Sequence, residues 1–346
     1  MPDLAARTLE LIDIPSESRH EAAIAQRVLD LLGARARSAG DNCVLAGATT
    51  RGDRPLVLLA GHLDTVPMQD NRPGRIEDGV VHGLGAADML GAVAVMVELA
   101  LDPPADSTVD VGFVFFGREE LPIGESALTP LLEREPGLRD ADLAIVMEPT
   151  ANALHAGCLG NINATWAFSG TAGHSARPWL ADNAVHRAAR AIATVADVAP
   201  VEHEFDGLTF TEVVSVTTIE GGIARNVIPD RCTAQINMRY APGTSSADAE
   251  ARLRALCEPA GELVVEGNAP SGKTALDNPL VQRLIGLGLA VEPKQAWTPV
   301  AEFSQAGVDA VNFGPGNPRF AHRRDEQVEV AALERSYQLL REFLCA

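Results

Sequence analysis

Four short runs, rich in apolar residues, constrain this chain more than any other feature: residues 55–60 (PLVLLA), 109–116 (VDVGFVFF), 143–147 (LAIVM) and 308–313 (VDAVNF). Runs of this length without strict alternation read as strands buried on both faces, as in parallel sheets. Residues 89–101, apolar on nearly every side, lie between the first two and read as a buried helix. Strands alternating with helices predict an α/β fold, a mixed, largely parallel sheet flanked by helices. Ligands of such sheets gather in the loops beyond the carboxyl ends of the strands. Here each run leads into chemically capable residues: Gly61-His62-Leu63-Asp64-Thr65, Gly117-Arg118-Glu119-Glu120, Glu148-Pro149-Thr150, and Gly314-Pro315-Gly316 followed by His322.

The middle of the chain has a different texture. Alternating strands are expected over 162–168, 212–219 and 233–240, with helices over 182–198 and 246–258, the pattern of a small α+β unit. Residues 158–270 therefore read as a domain inserted into one formed by 1–157 and 271–346. The latter should close with an amphipathic helix over 328–344. Near the start, Ser18-Arg19-His20-Glu21 has the form of a capping box, ahead of apolar residues at helical spacing (Ile24, Val28, Leu31, Leu32).

Composition narrows the function. Lys and Arg number 28 against 47 Asp and Glu, a formal charge of −19, which argues against nucleic acid and anionic membranes as partners. The first residues lack the basic start of a secretion signal, and no apolar stretch reaches membrane-spanning length, so a cytoplasmic protein is expected. Five cysteines without C-x-x-C spacing read as isolated thiols rather than a disulfide framework or a thiolate metal site.

Two histidines and several carboxylates at strand ends, with no competing cysteines, suit a zinc-type catalytic site, and a carboxylate shared by two metals accounts for so many acids together. Blander readings exist for each residue alone: Asp88 is placed to cap the buried helix, and Glu119-Glu120 could be a solvated turn. A nucleotide site finds little support, because Gly83-Leu84-Gly85-Ala86-Ala87-Asp88 lacks the third glycine of a dinucleotide fingerprint.

The blocks GHLDTVP (61–67), GLGAADM (83–89), Glu119-Glu120, MEPT (147–150), GTAGHSARP (170–178), RNVIPD (225–230), INMRY (236–240) and NFGPG (312–316), then Ala321-His322, together resemble the di-zinc aminoacylase/carboxypeptidase metallopeptidases. The resemblance implies a catalytic domain of that family's zinc-peptidase type, holding two Zn2+ per chain with Co2+ or Mn2+ as substitutes. His62, Asp88 and Glu148 would hold one ion, and Asp88, Glu120 and His322 the other. Glu119 is similar to the general acid/base that takes a proton from the metal-bridging water and gives it to the leaving amine. Asp64 resembles the carboxylate that orients the His62 imidazole. The insert resembles a lid that also forms a homodimer, with His174 reaching across it to stabilise the oxyanion. Asn226, Arg239, Thr298 and Arg177 are the implied substrate contacts; a planar guanidinium such as Arg239 pairs both oxygens of a carboxylate.

Within the family the blocks most resemble actinobacterial succinyl-diaminopimelate desuccinylases, which implies a small N-acyl amino acid substrate and amide hydrolysis to succinate and LL-diaminopimelate. Acetylornithine deacetylase, or another N-deacylase or carboxypeptidase, is the alternative, and a non-catalytic metal-binding relative is one of another class. Glu302 stands where these enzymes usually carry an arginine. Facing substrate, it would favour an ammonium group; facing solvent, it would leave the desuccinylase reading intact.

Overall fold

The computed structural model describes residues 1–346 and divides them into two compact units: Met1–Gly157 with Gly272–Lys294 and Thr298–Ala346, and Cys158–Ser271 with Gln295–Trp297. In the first, an eight-stranded sheet runs in the order Ala36–Ser38, Val44–Gly47, Asp110–Phe116, Leu56–His62, Leu143–Val146, Ala310–Asn312, Leu154–Ala156, Val291–Pro293. The four strands from Asp110–Phe116 to Ala310–Asn312 are mutually parallel and arise from the four apolar runs. The edges bring antiparallel pairings, so the sheet is mixed but largely parallel, as expected. Leu56–His62 is buried at every position, and helix Leu90–Leu101 leaves only Glu98 and the terminal Leu101 incompletely buried; Arg7 donates to Glu98 at 2.8 Å. Burial on all sides is why neither element alternates in sequence.

Three local expectations fail for identifiable reasons. The capping box does not form: helix Ala22–Leu32 has no side-chain cap, and the Ser18 hydroxyl instead donates to Asp64 Oδ2 at 2.8 Å. Asp88 does not cap the buried helix, whose N-cap is Met89; its carboxylate turns towards His62 and His322. The last helix starts at Val330, because Gln327–Glu329 pairs as a strand with Val80–His82. Val80–His82 also forms a hairpin with Arg75–Glu77, joined by Asp78-Gly79, both at positive φ (48° and 78°) as a two-residue type I′ turn requires.

The second unit is a five-stranded antiparallel sheet in the order Val201–Phe205, Leu208–Gly221, Arg231–Tyr240, Gly160–Ser169, Glu262–Ala269. Ile162, Ala164, Trp166 and Phe168 alternate inward and pack with helices Ala184–Ala196 and Ser246–Cys257. Trp166 is fully buried and donates from Nε1 to the Cys257 carbonyl at 3.0 Å. None of the five cysteines forms a disulfide; four are buried, while Cys345 is exposed. No helix is long and apolar enough to cross a membrane.

Candidate metal centre

The four parallel strands deliver their carboxyl ends to one place. His62 is the last residue of its strand and fully buried; its Nδ1 lies 3.0 Å from the main-chain oxygen of Asp64. A carbonyl only accepts, so Nδ1 carries a proton and Nε2 is the nitrogen directed inward. Nε2 stands 3.2 Å from Asp88 Oδ1 and 3.7 Å from Glu148 Oε1. His322 Nε2, arriving from the loop after Ala310–Asn312, is 3.0 Å from Glu120 and 3.4 Å from Asp88 Oδ2. Asp88 thus lies between the two imidazoles.

Asp64 lies beside the His62 ring and also reaches the turn of Glu119 and Glu120. Its Oδ1 is 3.6 Å from His62 Nδ1, while its carboxylate accepts from the Glu119 N–H (3.1 Å), the Glu120 N–H (3.2 Å) and the Ser18 hydroxyl (2.8 Å). The main-chain carbonyl orients the imidazole, and the carboxylate fixes the turn that presents Glu119 and Glu120.

Crowding of carboxylates governs the electrostatics. Burial, then the charge of Glu148, holds the Glu119 carboxyl well above its ordinary range. Burial and the Asp88 charge push Glu148 up to about 7, against the opposing pull of Lys294 and His62. Hydrogen bonds to Asp88 and Glu120 push His322 up to about 11. Ligand atoms of His62, Glu119 and Glu148 lie within 4.8 Å of one another, as do those of His62, Asp88 and Glu120. Proximity alone therefore does not reproduce the ligand division implied by the resemblance. The donor set does fit two divalent cations: imidazole and carboxylate are zinc-type ligands, and the buried Glu148 Oε1 has no hydrogen-bond partner.

Two supporting residues had no visible sequence signal. Glu326, 2% exposed, accepts from the N–H groups of Gly85 (3.0 Å), Ala87 (3.1 Å) and Asp88 (3.0 Å), bracing the loop that carries Asp88. Lys294, also buried, approaches Glu148 Oε2 at 3.9 Å. The NFGPG block has a steric reason. A Cβ on Gly314 would stand 2.3 Å from the Met147 carbonyl oxygen, and one on Gly316 would stand 2.2 Å from that of Ala87, so bare backbone here abuts the segments carrying Glu148 and Asp88.

Glu302 does not face solvent. It is 3% exposed, and its Oε1 accepts from Ser126 Oγ (2.9 Å), Thr129 N (3.0 Å) and Thr129 Oγ1 (2.6 Å) at the start of helix Leu128–Arg134. Thr298 is buried in the same unit, its carbonyl accepting from the Ala301 N–H. The remaining implied substrate residues belong to the second unit. His174 is exposed and pairs with Val227; its Nδ1 accepts from the Ala176 N–H at 3.1 Å, which leaves Nε2–H as an outward donor. Arg177 and Asn226 are exposed, and their backbones hold the same hairpin, through Arg177 N–H to the His174 carbonyl and Ser175 N–H to that of Asn226. Arg239 is half-buried, with Nε 3.1 Å from Asn237 Oδ1 and no carboxylate at ion-pair distance.

A parallel sheet presenting paired imidazoles and clustered carboxylates at its carboxyl edge suits divalent cations and metal-dependent hydrolysis. The chain belongs to peptidase family M20/M25/M40, whose model matches residues 58–346. It is 36% identical over 351 residues to succinyl-diaminopimelate desuccinylase of Corynebacterium glutamicum, covering 97% of this chain and 95% of that one. A Mycobacterium tuberculosis relative, to which the same name is given provisionally, is 39% identical over 343 residues, covering 97% and 96%. The fold is shared with the M20 family metallo-carboxypeptidase Sso-CP2 of Sulfolobus solfataricus, with a TM-score of 0.81 at 18% identity over 100% of this chain and 99% of that one.

Proposed function

We propose that this enzyme hydrolyses N-succinyl-LL-diaminopimelate to succinate and LL-diaminopimelate, a step in making lysine and peptidoglycan precursors. The observation that carries the substrate is the end-to-end match, at 36% and 39% identity, to relatives named for that reaction. The hydrogen bonds that Glu302 Oε1 accepts from Ser126 and Thr129 add support, since they engage within the fold a charge that would otherwise favour an ammonium-bearing substrate such as acetylornithine.

When bound, two divalent cations, zinc in the first instance, polarise the amide carbonyl and acidify water. His62, Asp88 and Glu148 are the proposed ligands of one and Asp88, Glu120 and His322 of the other. Glu119 accepts the proton of the attacking water and delivers it to the leaving amine, a role its place beside His62 and Glu148 supports. Asp64 keeps Glu119 in place through its main-chain N–H. His174 offers its Nε2–H to the developing oxyanion from the partner protomer of a homodimer. Arg239 receives a substrate carboxylate, with Asn226, Arg177 and Thr298 as further contacts. Dimerisation through the inserted unit is supported by its large exposed apolar residues Trp179 (75%), Leu180 (68%) and Ile223 (89%). The test of substrate is kcat/KM of zinc-loaded protein on N-succinyl-LL-diaminopimelate beside N-acetylornithine. Preference for the second overturns the assignment.

A further inference from the structure

The second oxygen of Glu148 leads to a residue outside the ligand set. Lys294 directly follows strand Val291–Pro293 and is 6% exposed. Its Nζ donates to the Pro149 carbonyl at 3.2 Å and stands 3.9 Å from Glu148 Oε2. No other lysine or arginine comes within ion-pair distance of Asp64, Asp88, Glu119, Glu120 or Glu148. A buried ammonium is costly unless it is paired, and Glu148 is the one carboxylate within that distance of it. The neighbouring His155 carries no charge that could assist, because burial and the charge of Lys294 push its pKa down to about 4 and leave it neutral at neutral pH.

Glu148 is thus ion-paired at one oxygen, at 3.9 Å, and open at the other, since Oε1 is buried without a hydrogen-bond partner and lies 3.7 Å from His62 Nε2. We propose that Lys294 is a positioning residue of the metal centre, which fixes the Glu148 carboxylate and its Pro149 carbonyl so that Oε1 alone is presented to a cation. The inference rests on the cluster binding divalent cations as described above. Two effects of the ammonium oppose each other. Its charge repels a cation, whereas its grip orients the ligand; outer-shell partners of ligands typically change metal affinity by about 10–100-fold. Charge alone predicts tighter binding when the lysine is removed, and positioning predicts weaker binding.

Titration of the metal-free protein with Zn2+ against a chromophoric chelator separates the two. For Lys294→Met, positioning predicts affinity lower by about 10–100-fold for one of two ions and unchanged for the other. Melting of the metal-free variant at the wild-type temperature would show that the fold is intact. Unchanged or tighter binding of both ions overturns the proposal. Should Lys294→Met not fold, Lys294→Gln, which can still donate to the Pro149 carbonyl but has no charge, decides by the same criterion: weaker binding of one ion supports it, and wild-type binding overturns it. Wild-type protein that binds no Zn2+ overturns the metal-centre reading itself, and this inference with it.

Discussion

Replacing Gly316 by alanine places one methyl group against the backbone behind Asp88. The added Cβ would lie 2.2 Å from the Ala87 carbonyl oxygen and 2.9 Å from its carbon. Carbon-to-oxygen contacts settle near ~3.3 Å, so one segment must retreat by about 1 Å. Backbone cannot rotate away as a side chain can, and the Ala87 and Asp88 N–H groups are tied to Glu326. Overpacking of this kind costs about 1–3 kcal/mol. The larger consequence is geometric, because a displacement of about 1 Å at a reacting centre can lower the rate by about 10²-fold. Gly316→Ala is therefore expected to fold, to lose about two orders of magnitude in kcat, and to release zinc more readily in chelator competition. Gly286→Ala, where the new Cβ meets nothing within 4 Å, is the control and should match wild type. Wild-type kcat and zinc affinity in Gly316→Ala would show that this close approach does not set the position of Asp88.

Further outcomes follow from the same geometry. Glu119→Gln should lower kcat by about 10²–10⁴-fold while both metal ions remain bound, checked by turnover beside elemental analysis. Asp64→Asn sets an amide N–H against the N–H groups of Glu119 or Glu120, and should reduce kcat by about 10–100-fold with the chain still folded by circular dichroism. Glu302→Gln should leave kcat/KM within about twofold, since a Gln oxygen can still accept from Ser126 and Thr129, whereas Glu302→Ala should cost about 1–3 kcal/mol by stranding those donors. The same site gives a pH signature. Burial, against the hydrogen bonds from Thr129 and Ser126, raises the folded-state pKa of Glu302, so its contribution to stability is present below the unfolded pKa and lost as pH rises through the folded one. The melting temperature of Glu302→Gln relative to wild type should thus be higher at pH 8 than at pH 5; the reverse trend would contradict a buried carboxylate there.

Much of the candidate centre was legible because most of the residues gathered there follow the ends of the most strongly patterned segments. Strand Leu56–His62 runs two residues past its apolar run, since His62 is itself buried as part of the strand. What stayed hidden depends on distant partners. Ser18 looked like a cap until Asp64, 46 residues on, took its hydroxyl. Glu302 displayed its charge in sequence, but Ser126 and Thr129, more than 170 residues earlier, decide where it points. Lys294 and Glu326 carry no local pattern, as each acts through long-range pairings alone. Glu262–Ala269 was missed because it is a mostly half-exposed edge strand with irregular register. The Asp78-Gly79 hairpin, by contrast, was announced by its turn pair and could have been read.

The proposed chemistry depends above all on a pair of metal ions bridged by Asp88. Anomalous diffraction from crystals of zinc-loaded protein would locate them. Two peaks per chain are expected, one bound by His62 and Glu148, the other by Glu120 and His322, with Asp88 between them. A single peak would contradict the bridged pair, and one held by His62, Glu119 and Glu148, which proximity alone would equally allow, would also make Glu119 a ligand rather than the proton carrier.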